Sequence, residues 1–310
     1  MLVLIVSSFL MAYSGSLLVG SLMVVARALR WREFVVGFVI MAFATSAPNL
    51  FVGITSAIKG IPELSFGDVI GGNTVDLTLG LALGVLIGGG IIAESRMVQS
   101  SALFMLGIAV LPMLLVMDGE LGRLDGLILI STFFLYSFWL FSKEERFRKV
   151  YEGNDKISPK LIIKSIFLFL AAITILIVGS QGVVRSALYF AGNLNLPLGL
   201  IGILIVGLGN SLPEIYFTII SAKKGEDWLV LGNMMGGIIT CASFILGLVI
   251  IIHPIKIVDF SPYIIGRLFL VIAAISLFVF LKTGKKLTRQ EGLVMLLLYV
   301  CFLTAEVFLR

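Results

Sequence analysis

Charge is the scarcest commodity in this 310-residue chain: Asp, Glu, Lys and Arg together make up 13% of it, with one histidine and two cysteines. So few charges cannot clothe a soluble protein of this size. With 59% hydrophobic residues and a mean hydropathy of +1.12, the composition is that of a polytopic helical membrane protein. A single histidine excludes a His-Glu-x-x-His site, and no Gly-x-Ser-Gly occurs either. Cys241 and Cys301 both lie in apolar segments, so no disulfide framework is expected. Apolar residues begin at Leu2 with no basic stretch before them, which reads as a retained membrane helix and not a cleaved signal. The pI near 9.2 comes from Lys and Arg lying between apolar segments. Their expected neighbours are anionic lipid head groups, not nucleic acid.

Hydropathy divides the chain into ten segments, at about 2–26, 34–58, 66–91, 98–117, 123–141, 161–189, 199–222, 228–252, 263–282 and 290–309. At 1.5 Å per residue each is long enough to cross ~30 Å of hydrocarbon. They are called spans 1 to 10 below. The longest polar run, Lys143 to Lys160, separates the first five from the last five. The expected organisation is thus residues 1–141, a linker at 142–160, and residues 161–310. Placing the N-terminus outside puts 17 of the 23 Lys and Arg residues on one side. The positive-inside rule then predicts both termini outside the cell membrane and residues 142–160 in the cytoplasm.

What the chain does have is a segment written twice. A constant shift carries residues 37–60 onto 202–225 without a gap, matching Gly37 to Gly202, Ser46 to Ser211, Pro48 to Pro213 and Lys59-Gly60 to Lys224-Gly225. The same shift carries Gly67 onto Gly232 and Gly71-Gly72 onto Gly236-Gly237, so the repeated motifs cover 37–80 and 202–245. Five spans per half is an odd number, so the second copy enters the membrane upside down. Its proline motif can then meet the first near the midplane, as in transporters built from inverted repeats. The fold class expected is all-α, with ten transmembrane helices in two inverted five-helix repeats.

Each copy sets a proline and a polar cluster inside an apolar stretch: Thr45-Ser46-Ala47-Pro48-Asn49 and Asn210-Ser211-Leu212-Pro213-Glu214. Proline in a helix interior removes a donor and clashes with the carbonyl four residues earlier. Pro48 and Pro213 should therefore loosen the helix at Ala44 and Gly209. Free carbonyls in the bilayer core are tolerated only beside compensating groups. Here these are the hydroxyls of Thr45, Ser46 and Ser211 and the amides of Asn49 and Asn210. Such oxygens, with carboxylates, are what hard cations require. Carboxylates inside spans are functional by default, and Glu214 and Asp76 lie deep. Asp68, nearer a span end, reads as a span-end or packing residue. Asn73 and Thr74 read as helix–helix glue, the glycine pair as a close contact or a helix break, and His253 as a bystander.

At these residues the chain resembles the cation/Ca2+ antiporter superfamily, in particular prokaryotic Na+/Ca2+ exchangers. Ala44–Asn49 and Gly209–Glu214 are similar to the family's two G-T-S-x-P-E motifs, and Gly67–Gly72 and Gly232–Gly237 to its two G-N-x-x-G-S motifs. The resemblance implies four polar side chains in a diamond around the ions, falling here on Asn49, Glu214, Asp76 and Cys241. Only Glu214 keeps the family identity. Asn49 replaces a glutamate, Asp76 an asparagine and Cys241 an aspartate, while Gly72 and Gly237 replace serines and Asn210 a threonine. By this count two carboxylates remain at the centre, enough to neutralise one Ca2+, two Na+ or two H+.

The expected function is a secondary-active antiporter exchanging Ca2+ for Na+ or H+, its cargo being inorganic cations with no cofactor. A cation channel or non-transporting cation sensor on the same fold is the alternative, distinguished by flux that needs no counter-ion. An intramembrane enzyme is set aside. The nearest approach to the Gly-x-Gly-Asp of membrane aspartyl proteases is Gly207-Leu208-Gly209-Asn210, and asparagine cannot do an aspartate's acid–base work.

Overall fold

The computed structural model describes residues 2–28, 42–93, 96–142 and 158–308. Among these, nine helices are long and apolar enough to cross a membrane, and Ala47–Ile58 is a shorter apolar helix. That short helix is the second half of span 2, whose first residues, with Gly37 of the repeat, lie outside the described residues. So does most of the 142–160 linker. Span 6 is longer than its hydropathy suggested, running Pro159–Leu194. Ser158 caps it by accepting from the Leu161 amide at 3.3 Å, Pro159 occupies the first turn, and Asn195 closes it in the left-handed conformation (φ 51°).

Span 1 (Leu2–Ala28) pairs along its length with span 6, and together they pack on spans 2 and 7 through an apolar cluster that includes Met11, Val52, Leu176 and Val206. A second, larger cluster holds spans 3, 4, 5, 8, 9 and 10. The most enclosed helices are those at the centre. Buried positions make up 78% of the most apolar stretch of span 3 (Glu63–Gly88), 67% in span 7 (Leu198–Lys223) and 78% in span 8 (Asp227–Ile252), against 17% in span 6.

Two short antiparallel ribbons tie the loops. Ile91–Ile92, after span 3, pairs with Lys286–Leu287 between spans 9 and 10. Glu120–Leu121, between spans 4 and 5, pairs with Ile255–Lys256 after span 8. Each ribbon joins loops that the ten-segment reading put on one side of the membrane. The 165-residue shift also takes Ile91 to Lys256 and Leu121 to Lys286, from one ribbon into the other.

Glycine decides how spans 3 and 7 meet. Of the two readings of Gly71-Gly72, the helix break does not occur, because Glu63–Val75 is one unbroken helix. The pair instead permits backbone contact. A Cβ on Gly67 would overlap the Gly199 carbonyl, one on Gly71 the Ile203 backbone, and one on Gly202 the Leu64 carbonyl. Gly71→Ala is therefore expected to destabilise the protein by about 1–3 kcal/mol. Gly20→Ala, on span 1 with nothing within 4 Å of the added carbon, should leave stability unchanged. Thermal unfolding of the detergent-solubilised variants checks both, and equal stability of the two would contradict the close approach.

Candidate functional site

The helix breaks fall at the two serines that precede each proline by two residues. One helix ends at Thr45, Ser46 bends (φ −80°, ψ 4°), and Ala47 begins the next; the second copy ends at Asn210, turns at Ser211 (φ −75°, ψ −7°) and restarts at Leu212. Pro48 and Pro213 thus stand in the first turn of a new helix, where a missing N–H costs nothing. The expectation that proline would loosen the preceding turn holds, with the break displaced onto the serine.

The spans facing these breaks carry a matching irregularity. Span 3 passes into a π-helical turn at Asp76–Gly80, and span 8 into one at Thr240–Ile245. Wide turns of this kind occur often at functional sites. They place Asp76 and Cys241, which the repeat relates, at corresponding irregular points of two straight-running helices.

The eight residues singled out from the sequence, Thr45, Ser46, Asn49, Asp76, Asn210, Ser211, Glu214 and Cys241, are all buried, and hydrogen bonds tie several of them to the other half of the chain. Thr45 donates to Asn233 Oδ1 at 3.0 Å, Asn49 Nδ2 to Cys241 Sγ at 3.2 Å, and Ser211 to the Gly72 carbonyl at 3.2 Å. The Asp76 and Glu214 carboxyls act on one another electrostatically. The Ser46 hydroxyl borders both Glu214 and Cys241 without closing a well-formed bond to either. Asn49 is hydrogen-bonded to Cys241, while its counterpart in the repeat, Glu214, is close enough to both Asp76 and Cys241 to act on them electrostatically.

Several oxygens in this cluster have no protein partner: both of Glu214, Oδ1 of Asp76, Oδ1 of Asn49 and Oγ of Ser46. Leaving so many buried acceptors unbonded is costly unless something else supplies the positive charge. Among the described residues, no three His, Cys, Asp or Glu side chains are close enough to hold a metal ion by themselves. A cation here would rest on the two carboxylates together with neutral hydroxyl and amide oxygens, a donor set that suits Ca2+ and Na+.

Sequence reasoning missed other buried polar residues. Asp68, read as a span-end or packing residue, is instead buried to 1% exposure one and a half turns inside span 3, and it accepts from Asn210 Nδ2 at 2.9 Å. Its burial follows from span 3 starting at Glu63 and not near residue 66. Asn233, the partner of Thr45, could have been found as the repeat's counterpart of Asp68. Glu306 is buried beside Gly266 of span 9, where its place near the end of span 10 gave no sign of it. His253 is exposed at the end of span 8, bonded to its neighbour's carbonyl. Between span 1 and the second half of span 7, an apolar cavity of about 610 Å3 is lined by Phe9, Tyr13, Pro213 and Tyr216 and reaches Thr45.

Known proteins resemble this chain in sequence and in fold. The chain is 25% identical to the sodium/calcium exchanger MaX1 of Methanosarcina acetivorans, over 97% of each chain. It is 26% identical to the inner membrane protein YrbG of Escherichia coli, over 81% of this chain and 79% of that one. A structure of the sodium-calcium exchanger NCX_Mj, soaked with 10 mM Na+ and 10 mM Sr2+, superposes with a TM-score of 0.71 at 25% identity, covering 99% of this chain and 97% of that one. The family model for the sodium/calcium exchanger protein matches residues 1–142 and 164–308, and the chain belongs to that family.

Proposed function

We propose that this protein is a secondary-active cation antiporter, exchanging Ca2+ for Na+ or H+ by alternating access at the cluster where spans 2, 3, 7 and 8 meet. Glu214 carries the reading. It is a carboxylate 1% exposed at the start of a broken helix, and neither of its oxygens is bonded within the protein. A carboxylate kept in that state within a membrane domain marks an ion pathway. The relatives agree in kind, since MaX1 is named a sodium/calcium exchanger and NCX_Mj has been soaked with Na+ together with Sr2+ or Ca2+.

Exchange follows from electrostatics. Asp76 and Glu214 can move across a low-dielectric barrier only when neutralised, so a return without cargo is penalised and one ion must replace the other. The span 1–span 6 pair is placed to govern access. Gly15 of span 1 lies against the Ala44 carbonyl and Pro213, and Ser8 against Gly209, beside both helix breaks. That pair packs through its own apolar cluster, apart from the larger one. Residues 1–141 and 161–310 would be the two inverted halves, in a cell membrane with both termini outside and 142–160 cytoplasmic, as the distribution of Lys and Arg favours.

The test is Ca2+ uptake into reconstituted vesicles with Na+, K+ or a pH gradient opposed. Uptake should require an opposing Na+ or proton gradient, whereas uptake that proceeds with neither would support a channel. Glu214→Gln is expected to lower exchange at least about 100-fold, and Asp76→Asn at least about tenfold, because each leaves Ca2+ half neutralised.

Cys241 contributes a neutral donor and no carboxylate. Cys241→Ser is therefore expected to keep exchange within about threefold of the parent protein, a change worth well under 1 kcal/mol. A loss comparable to that of Glu214→Gln would show that the thiol itself is indispensable.

A further inference from the structure

Two cations meet where the short helix of span 2 ends. Lys59 follows Ala47–Ile58, the helix that carries Asn49, and Arg185 lies on span 6. Both belong to the minority of Lys and Arg that the sequence places on the side away from the 142–160 linker. The register of the two helices brings them level. Thr55 and Ser180 share a hydrogen bond at 2.9 Å, and both helices run toward the same face in the ten-span arrangement. Lys59 is four residues beyond Thr55 and Arg185 five beyond Ser180, so at 1.5 Å per residue they stand at nearly the same height.

Like charges at one height are unfavourable unless an anion lies between them. Slight burial, and then the nearby Arg185 guanidinium, lower the Lys59 ammonium below the usual lysine pKa range. Among the described residues neither cation has a carboxylate partner, and the ion pair on this face joins Lys256 to Glu120. The helix dipole accounts for a lysine at the end of Ala47–Ile58. It does not account for Arg185, which lies well inside span 6. The surface beside the pair is apolar. Ile58 is 72% exposed, and Tyr189, one turn past Arg185 on the same helix, is 64% exposed. Cations bordered by exposed hydrocarbon at the end of a span fit a lipid, whose phosphate meets the charges while its chains cover the apolar residues. A free anion would use the charges alone.

We propose that Lys59 and Arg185 together bind the phosphate of an anionic membrane lipid, one head group bridging span 2 and span 6. The bridge ties the helix bearing Asn49 to the span 1–span 6 pair. This site goes beyond the antiporter reading and does not depend on it.

The test follows the unfolding temperature of the detergent-solubilised protein during titration with short-chain phosphatidylglycerol, short-chain phosphatidylcholine or inorganic phosphate. Phosphatidylglycerol should raise it, and the other two should not at the same concentrations. Lys59→Gln and Arg185→Gln should each need at least about tenfold more phosphatidylglycerol for the same rise. Lys59→Arg, which keeps the charge, should need no more than about threefold more. Lys256→Gln removes a cation of the same face that is already paired with Glu120, and it should match the parent. An equal response to phosphatidylcholine, or to inorganic phosphate alone, overturns the proposal, the second by marking a site for a free anion. So does a glutamine variant at Lys59 or Arg185 that titrates like the parent. A loss in Lys256→Gln as large as that in Lys59→Gln also overturns it, because net charge and not this pair would then hold the lipid.

Discussion

A charged or strongly polar group inside a hydrocarbon slab must find compensation, and most of this molecule is arranged around a place where the protein supplies only part of it. Helices satisfy their own backbones and can cross lipid cheaply. Where two of them break, at Ser46 and Ser211, the polar groups face inward, against spans 3 and 8 and not toward lipid. Enclosure at the centre follows from that requirement. The backbone of span 3 lies directly on that of span 7 through Gly67, Gly71 and Gly202.

Inversion of the repeat turns this into a machine with two sides. The repeat relates one hydrogen bond of the cluster to another, whereas those of Ser211 with Gly72 and of Asn49 with Cys241 have no hydrogen-bonded counterpart. Thr45 to Asn233 answers Asn210 to Asp68, and the approach of Ser46 to Gly237 answers that of Ser211 to Gly72. A symmetric scaffold of this kind can open to either side with similar contacts. The charges it carries are not symmetric, and the cargo should lie toward spans 3 and 7.

The same substitutions that set this chain apart from the family pattern explain the asymmetry. Asn49 and Cys241 remove acid from spans 2 and 8, while Asp76 and Asp68 add it to span 3. Asn49 and Cys241 then satisfy one another at 3.2 Å, a neutral contact that needs no cation. Glu214 and Asp76, at the corresponding place, are both acids and make no such neutral contact.

Much of this was legible in the sequence. Long apolar runs fix helices because hydrocarbon admits no other open structure, a constraint that acts on each segment separately. The constant shift between two proline motifs exposed the duplication, and polar residues at matching depths exposed the cluster, since their cost in lipid is itself local. Other features depended on contacts between segments far apart in the chain. Whether Gly71-Gly72 breaks a helix or lets one approach another is decided by Ile203, more than a hundred residues away. That Asp68 is buried rather than at a span end depends on where span 3 begins and on Asn210 reaching it. That Asn49 pairs with Cys241, leaving Asp76 to Glu214, is decided by how the halves interlock. Residue types and their order determined which groups are too costly to face lipid; only the packing of the inverted halves decided which of them face each other, because that pairing is a property of two surfaces and not of either strand of sequence alone.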